Sequence, residues 1–157
     1  MTVWPAHEVN AGRPLPAPTI ASTSTLTTSG GDGSEAMVDQ MMPRSSHDPK
    51  TPYFHWWPKK GTTEWVYLDF KNEETVRRVG VYWFDDTGTG ECRVPVGWKV
   101  LYRRGEEWVP VAPTSAYGML KDRSNDVDFL PVKTTAIKLE VQLQPGWSAG
   151  IYEVSVQ

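Results

Sequence analysis

From Glu64 to Val156 the chain is cut into short segments by turn residues, and no window is long enough and periodic enough to read as a surface helix. Thr135–Leu143 alternates most clearly. Ile137, Leu139, Val141 and Leu143 fall on one side of an extended strand, and Lys138, Glu140 and Gln142 on the other. Val79, Val81 and Trp83 share one face of Val76–Phe84. Glu64–Phe70 ends at the polar turn Lys71-Asn72-Glu73-Glu74, and Gly97–Tyr102 is joined to Glu107–Val111 by the hairpin turn Arg103-Arg104-Gly105-Glu106. Val127–Phe129 is short, and in Ala149–Val156 the residues Ile151, Glu153 and Ser155 oppose Tyr152, Val154 and Val156. Upstream, Thr19–Thr28 suits a first strand, Ser29–Gly33 breaks it, and Glu35–Gln40 suits one helical turn. The pattern predicts an all-β fold, an antiparallel sandwich of jelly-roll type. Residues 1–18, with Pro5, Pro14, Pro16 and Pro18, predict an extended tether, leaving residues 19–157 as one domain, expected to be a monomer.

A chain of 157 residues can close one hydrophobic core. Its net charge of −3 provides no basic stripe to displace counterions, so nucleic acid is a poor partner. It has no apolar run of membrane-spanning length, and its start lacks the basic, apolar, small-residue order of a secretory signal. The chain is therefore read as one module of a longer secreted protein, extracellular or periplasmic. Cys92 stands alone, which excludes an internal disulfide and a cysteine-based zinc site, and it is read as a small packed side chain. His7, His47 and His55 form no pair with metal-ligand spacing. Asp85 and Asp86 are adjacent, so their side chains diverge instead of facing each other across a glycosidic bond. With no nucleophile elbow and no phosphate-cradling loop, the chain reads as non-catalytic.

The segment Tyr53–Phe70 is dense in aromatic rings within a turn-rich stretch, and the whole chain holds eight tryptophans. An indole either fills a core or offers a flat apolar face to a ligand. Trp56 and Trp57 are neighbours on an extended chain, so one points inward and the other outward. Trp65, Trp98 and Trp108 lie in strands and are expected in the core; Trp83 suits either place.

Several phrases together carry a family resemblance. They are Ala36-Met37-Val38-Asp39, Trp65-Val66 with Asp69-Phe70, Val76 to Tyr82, the hairpin Trp98 to Val111, and Gly150-Ile151 with Glu153-Val154 and Val156. Over residues 19–157 the chain resembles the discoidin, or coagulation factor 5/8 type C, domain in its bacterial carbohydrate-binding form, related to carbohydrate-binding module family 32. Phe54-His55-Trp56-Trp57-Pro58, Gly61-Thr62-Thr63-Glu64-Trp65, Tyr82-Trp83-Phe84-Asp85-Asp86 and Cys92-Arg93-Val94-Pro95 are similar to a subgroup appended to bacterial glycoside hydrolases such as β-L-arabinofuranosidase-like enzymes.

The resemblance implies a jelly-roll β-sandwich, a structural calcium ion and a sugar site in the loops at one end. The matching calcium ligands are Asp39, Ser45 or Ser46, and Glu153, although the usual Asp-Gly-Asp opening is replaced by Asp39-Gln40-Met41-Met42. Glu153, a carboxylate between apolar strand residues, needs a partner, which calcium or a basic side chain would supply. The end loops carry Trp57, Asp85, Asp86, Arg93, Tyr117, Arg123, Asn125 and Trp147 as ligand-binding candidates: rings for the apolar face of a sugar, polar groups for its hydroxyls. Plainer readings stand beside them: Asp85-Asp86-Thr87-Gly88 is also a turn, and Arg93 also suits a structural cation–π pair. Arg93 and Arg123 leave room for an acidic unit. The expected function is a non-catalytic carbohydrate-binding module holding a secreted glycoside hydrolase near plant polysaccharide. The alternative is a module that packs on the neighbouring catalytic domain and binds no sugar.

Overall fold

The computed structural model describes the backbone of Arg13–Pro14 and residues 19–157. The tether expected over residues 1–18 lies outside the described residues, apart from that dipeptide. Nine strands are present among them: β1 (Arg13–Pro14), β2 (Thr25–Thr28), β3 (Met41–Met42), β4 (Phe54–His55), β5 (Thr63–Phe84), β6 (Gly97–Arg104), β7 (Glu107–Pro110), β8 (Ser124–Gln142) and β9 (Gly150–Val156). Short 3-10 turns span Ile20–Thr23 and Ser34–Val38. The second is the helical turn expected near Glu35. The first takes half of the expected opening strand, because Ser22 and Ser24 hydroxyls bond back to the carbonyls of Thr19 and Ala21.

Two long strands replace four expected short ones. β5 runs through the polar segment Lys71–Glu74 without ending, and β8 joins Val127–Phe129 to Thr135–Leu143. Thr63–Asp69 pairs with Ala136–Gln142, and Arg78–Tyr82 pairs with Ser124–Asp128, with register shifts between. At the corner, Lys71, Asn72 and Glu73 of β5 and Leu130, Pro131 and Lys133 of β8 are exposed, and there each strand bends from one layer into the other. One layer has the order β2–β5–β8–β6–β7, the other β8–β5–β9–β4, and every pairing is antiparallel. Val66, Leu68, Ile137 and Leu139 from one layer meet Val79, Val81, Val127 and Val154 from the other in a single core.

Aromatic rings fill the centre of that core. Phe54 meets Trp56 edge-on at 4.9 Å, and Trp83 meets Trp98 at 5.6 Å. Both Trp83 Nε1 and Trp98 Nε1 donate to the carbonyl of Gly118, which ties the Tyr117–Leu120 loop down. Trp65 and Trp108, expected inside, are not: they are half-buried on the outer face of the first layer. The strands' alternation decides this, because Trp65 is out of phase with the inward-facing Val66 and Leu68.

β9 also departs from simple alternation. Tyr82 pairs with Glu153 but Trp83 pairs with Ile151, so Tyr152 is an extra residue in a bulge. Ile151 and Val154 thus both face the main core, while Tyr152 joins Tyr82, Phe84 and Cys92 in a second cluster behind the sheet.

Candidate functional site

β4 begins one end of the sandwich. Its backbone pairs Phe54 with Ile151 and His55 with Gly150, which sets the phase of the residues that follow. Phe54 and Trp56 are sealed in the core, while Trp57 is 51% exposed and Tyr53 37% exposed. Tyr53, His55 and Trp57 therefore stand on the outward side of one extended stretch. Tyr53 lies flat on Phe84, with ring centroids 3.8 Å apart and planes 7° apart. His55 stands edge-on to Trp57 at 6.5 Å.

Opposite these rings lies the loop 85–93. Asp85 is its anchor: it is buried and accepts bonds from Thr87 N at 3.0 Å and Val94 N at 2.9 Å. Burial alone would raise its carboxyl, but the Thr87 hydroxyl, those N–H groups and nearby Lys121 hold it below the ordinary value. Asp86 accepts from Cys92 N at 2.8 Å, and its carboxylate lies where a Cβ on Gly90 would collide with it. Arg93 locks the loop's far end. Its Nη1 donates to the carbonyls of Gly90 and Cys92, lies 3.5 Å from Asp86, and its guanidinium stacks 3.7 Å above Trp147. Burial first, then Asp86, pushes the Cys92 thiol up to about 12, so it remains protonated at neutral pH and serves as packing.

Between the two walls is a cleft of about 270 Å³, lined by Tyr53, His55, Trp57, Phe84, Asp86, Gly90, Glu91 and Cys92. Glu91 at the rim pairs with Lys60 at 3.4 Å, an exposed contact that exchanges readily with solvent or ligand. The ionisable lining is thus chiefly acidic.

Of the eight ligand-binding candidates, Trp57 and Asp86 line this cleft. Asp85, Arg93 and Trp147 build its loops from behind. Tyr117 packs on Trp98, its hydroxyl accepting from Val100 N at 3.0 Å. Asn125 is buried and bonded to Leu120, Val81 and Arg123 backbone groups. Arg123 is exposed outside the cleft lining. The candidate list lacked Tyr53, His55, Phe84, Glu91 and the glycine beside Asp86. The signal for the first two was present in the sequence, as the period-two spacing Tyr53, His55, Trp57.

The metal candidates separate in the same way. Gln40 takes a left-handed φ of 63°, the conformation a glycine would adopt more easily, and its N–H donates to Glu153 Oε2 at 3.0 Å. Asp39 accepts from Met41 N at 2.9 Å beside it. Glu153 Oε1 is buried with no hydrogen-bond partner. Burial first, and then the Asp39 carboxylate, pushes Glu153 up to about 10. A buried carboxylate oxygen without a donor, next to a second carboxylate, fits a hard cation. Among the described residues no group of three or more His, Cys, Asp or Glu could hold a metal, so further ligands would be backbone or hydroxyl oxygens. Ser45 Oγ accepts from His47 N, and Ser46 is bonded through both N and Oγ to Asp122. These two serines fold the 44–48 turn.

The profile of the F5/8 type C domain matches residues 19–154. No curated protein matches the chain in sequence. Similar solved structures include a Streptococcus pneumoniae β-galactosidase, BgaA, at TM-score 0.70 and 16% identity, covering 94% of this chain and 97% of that one. The family 32 carbohydrate-binding module of C. perfringens NanJ, solved with galactose, gives 0.65 at 14% identity, covering 88% and 97%. Chitosan-binding module 1 of a Paenibacillus sp. IK-5 chitosanase/glucanase gives 0.62 at 16% identity, covering 90% and 99%. At these identities the likeness establishes the fold.

Proposed function

The chain belongs to the F5/8 type C domain family, and on that premise we propose that it is a non-catalytic module whose Tyr53–His55–Trp57 cleft binds carbohydrate. The observation that carries this reading is an open indole beside a concave site whose opposite wall holds a carboxylate. A sugar ring offers apolar C–H groups to Trp57 and hydroxyls to Asp86, His55 and Glu91. The acidic lining favours a neutral sugar over a uronic acid, since Arg93 is committed to its own loop. One stacked ring and a few hydrogen bonds support weak affinity, on the order of micromolar to millimolar once ordering costs are counted.

Weak affinity suffices for a tethered module, because a linker raises the effective concentration of its partner. The parent assigned to it is a secreted bacterial glycoside hydrolase acting on plant polysaccharide; the neighbours from a β-galactosidase and a chitosanase/glucanase support that context. The other reading, a module that only packs on a catalytic domain, fits a flat scatter of rings better than a cleft. Affinity gels cast with arabinan, galactan and other plant polysaccharides test the proposal. Retardation of the protein on one of them, lost in Trp57→Ala, is expected; free migration on all would overturn it.

We also propose that calcium joins the loop after β2 to the last strand through Asp39 and Glu153. The ion would supply the positive charge that lets Glu153 ionise beside Asp39, and it would take no part in chemistry. Ser45 and Ser46 support the neighbouring turn and are the weaker candidates. Calcium should raise the melting temperature over a chelator-treated sample by several degrees. Glu153→Gln should abolish that rise, and a wild-type protein indifferent to calcium would remove the site.

A further inference from the structure

Tyr53 lines more than the cleft. A second depression, of about 660 Å³, is lined by Glu35, Asp39, Pro49, Lys50 and Pro52 among others, and Tyr53 lines both. Building on the carbohydrate reading above, we infer that the two depressions form one groove that takes consecutive units of a neutral oligosaccharide, with Tyr53 as the ridge between subsites.

The first argument is size. At about 270 Å³ the cleft falls just below the usual range for small-molecule sites, on the order of 300–1,000 Å³, so it suits one sugar ring and leaves the rest of a chain outside. The chain's exit over Tyr53 leads into the larger depression.

The second argument is construction. Tyr53 is backed flat by Phe84, so the ridge is rigid and apolar. Asp48 fixes the wall formed by residues 44–52: it accepts from Arg44 N and Lys50 N at 3.0 Å and from the Thr51 hydroxyl at 2.9 Å. Its own backbone N–H donates to the Tyr152 hydroxyl at 2.6 Å. The opposite wall approaches through Gly33, at φ 89°, where a Cβ would come 2.6 Å from the Tyr53 carbonyl; only glycine permits that approach. A surface with both walls pinned in this way is preorganised for a ligand.

The third argument is charge. Lys50 and Glu35 are exposed and of opposite sign, and the cleft adds Asp86 and Glu91. Such a set can grip hydroxyls along the groove but provides no run of cations for a polyanionic chain.

Calorimetric titration with galactose and its β-1,4-linked di-, tri- and tetrasaccharides, and with the matching arabinose series, tests the groove. In the series that binds, affinity should rise about tenfold or more from monosaccharide to trisaccharide and then level off. A Glu35→Ala/Lys50→Ala double variant, checked for an unchanged melting temperature, should bring the trisaccharide-to-monosaccharide ratio toward one. Affinity independent of length would overturn the groove while leaving the cleft intact, as would a ratio unchanged in the double variant. Absence of binding in both series, together with free migration on every affinity gel, would overturn the carbohydrate reading and the groove with it.

Discussion

Two aromatic surfaces on this molecule look alike by composition and differ in what covers them. On the outer face of the first layer, Trp65 stacks on Tyr67 at 5.2 Å, and Tyr67 tilts against Trp108 at 5.5 Å. Lys138 Nζ lies 5.4 Å from the Trp65 ring, and Arg103 lies 4.8 Å above Trp108. Each ring in this ladder already has a partner, and Leu101, on the same face, is buried. At the sandwich end, Trp57 meets the edge of His55, has no stacked ring or cation over it among the described residues, and stands half open beside a concavity. Exposure alone does not separate a binding ring from a structural one. What separates them is whether the protein's own cations and rings have claimed the π face.

The sharpest way to break that contrast lies within two adjacent residues. Trp56 is fully buried in the core and Trp57 is the most open ring of the cleft. Trp56→Ala should cost about 3–5 kcal/mol of stability, by the usual scale for emptying a large aromatic site. Trp57→Ala should leave the denaturation midpoint almost unchanged and weaken binding of a retained polysaccharide about tenfold or more, the loss of roughly 1.4 kcal/mol of stacking. Equal stability losses from the two variants would show that Trp57 is a structural residue after all.

A second test probes how the cleft side is held. Burial would raise the Asp48 carboxyl, but the Arg44 and Lys50 N–H groups and the Thr51 hydroxyl outweigh it and bring it down to about 2. The folded value is depressed, so the stability it contributes is present above the unfolded value, about 3.9 by reference, and is lost as pH falls toward 2. Asp48→Asn should therefore melt below wild type at neutral pH, and the gap should close between about pH 4 and pH 2. The exposed pairs on the ladder face, Arg103 with Asp69 and Lys99 with Glu140, are of little weight beside it. A gap that persists unchanged to the lowest pH would show that Asp48 is not holding the 44–52 wall in ionised form.

The contrast also explains which parts of the molecule could be read from sequence. The sandwich was legible because Ile137, Leu139, Val141 and Leu143 repeat with the period of a strand, and the prediction held. The continuity of β5 and β8 was not, because a polar segment such as Lys71–Glu74 has the composition of a turn whether the chain reverses or only bends there. Hydrophobicity alone puts Trp65 and Trp108 in the core, but phase decides: the alternation with Val66 and Leu68 puts Trp65 outside. The Tyr152 bulge, which lets Ile151 and Val154 face the same way, has no signature in the local pattern. Asp85, Tyr117 and Asn125 carry ligand-type chemistry, but the hydrogen bonds that commit them to Val94, Val100 and Leu120 exist only in three dimensions.

The smallest expected effect is on the ladder itself, and it completes the comparison. Trp108→Ala removes the surface under the Arg103 guanidinium, one contact with Tyr67 and part of the cover shared with Lys138. Exposed cation–π contacts are worth about 0.5–1 kcal/mol each, so the variant should lose roughly 1–2 kcal/mol of stability. Its affinity for a polysaccharide retained by wild type should be unchanged, because no atom of Trp108 lines the cleft or the depression beyond Tyr53. Titration of Trp108→Ala beside Trp57→Ala on the same polysaccharide reads both numbers. If Trp108→Ala loses affinity while keeping its fold, the claimed rings of the sheet face are also a binding surface, and partner coverage is the wrong criterion for telling the two regions apart.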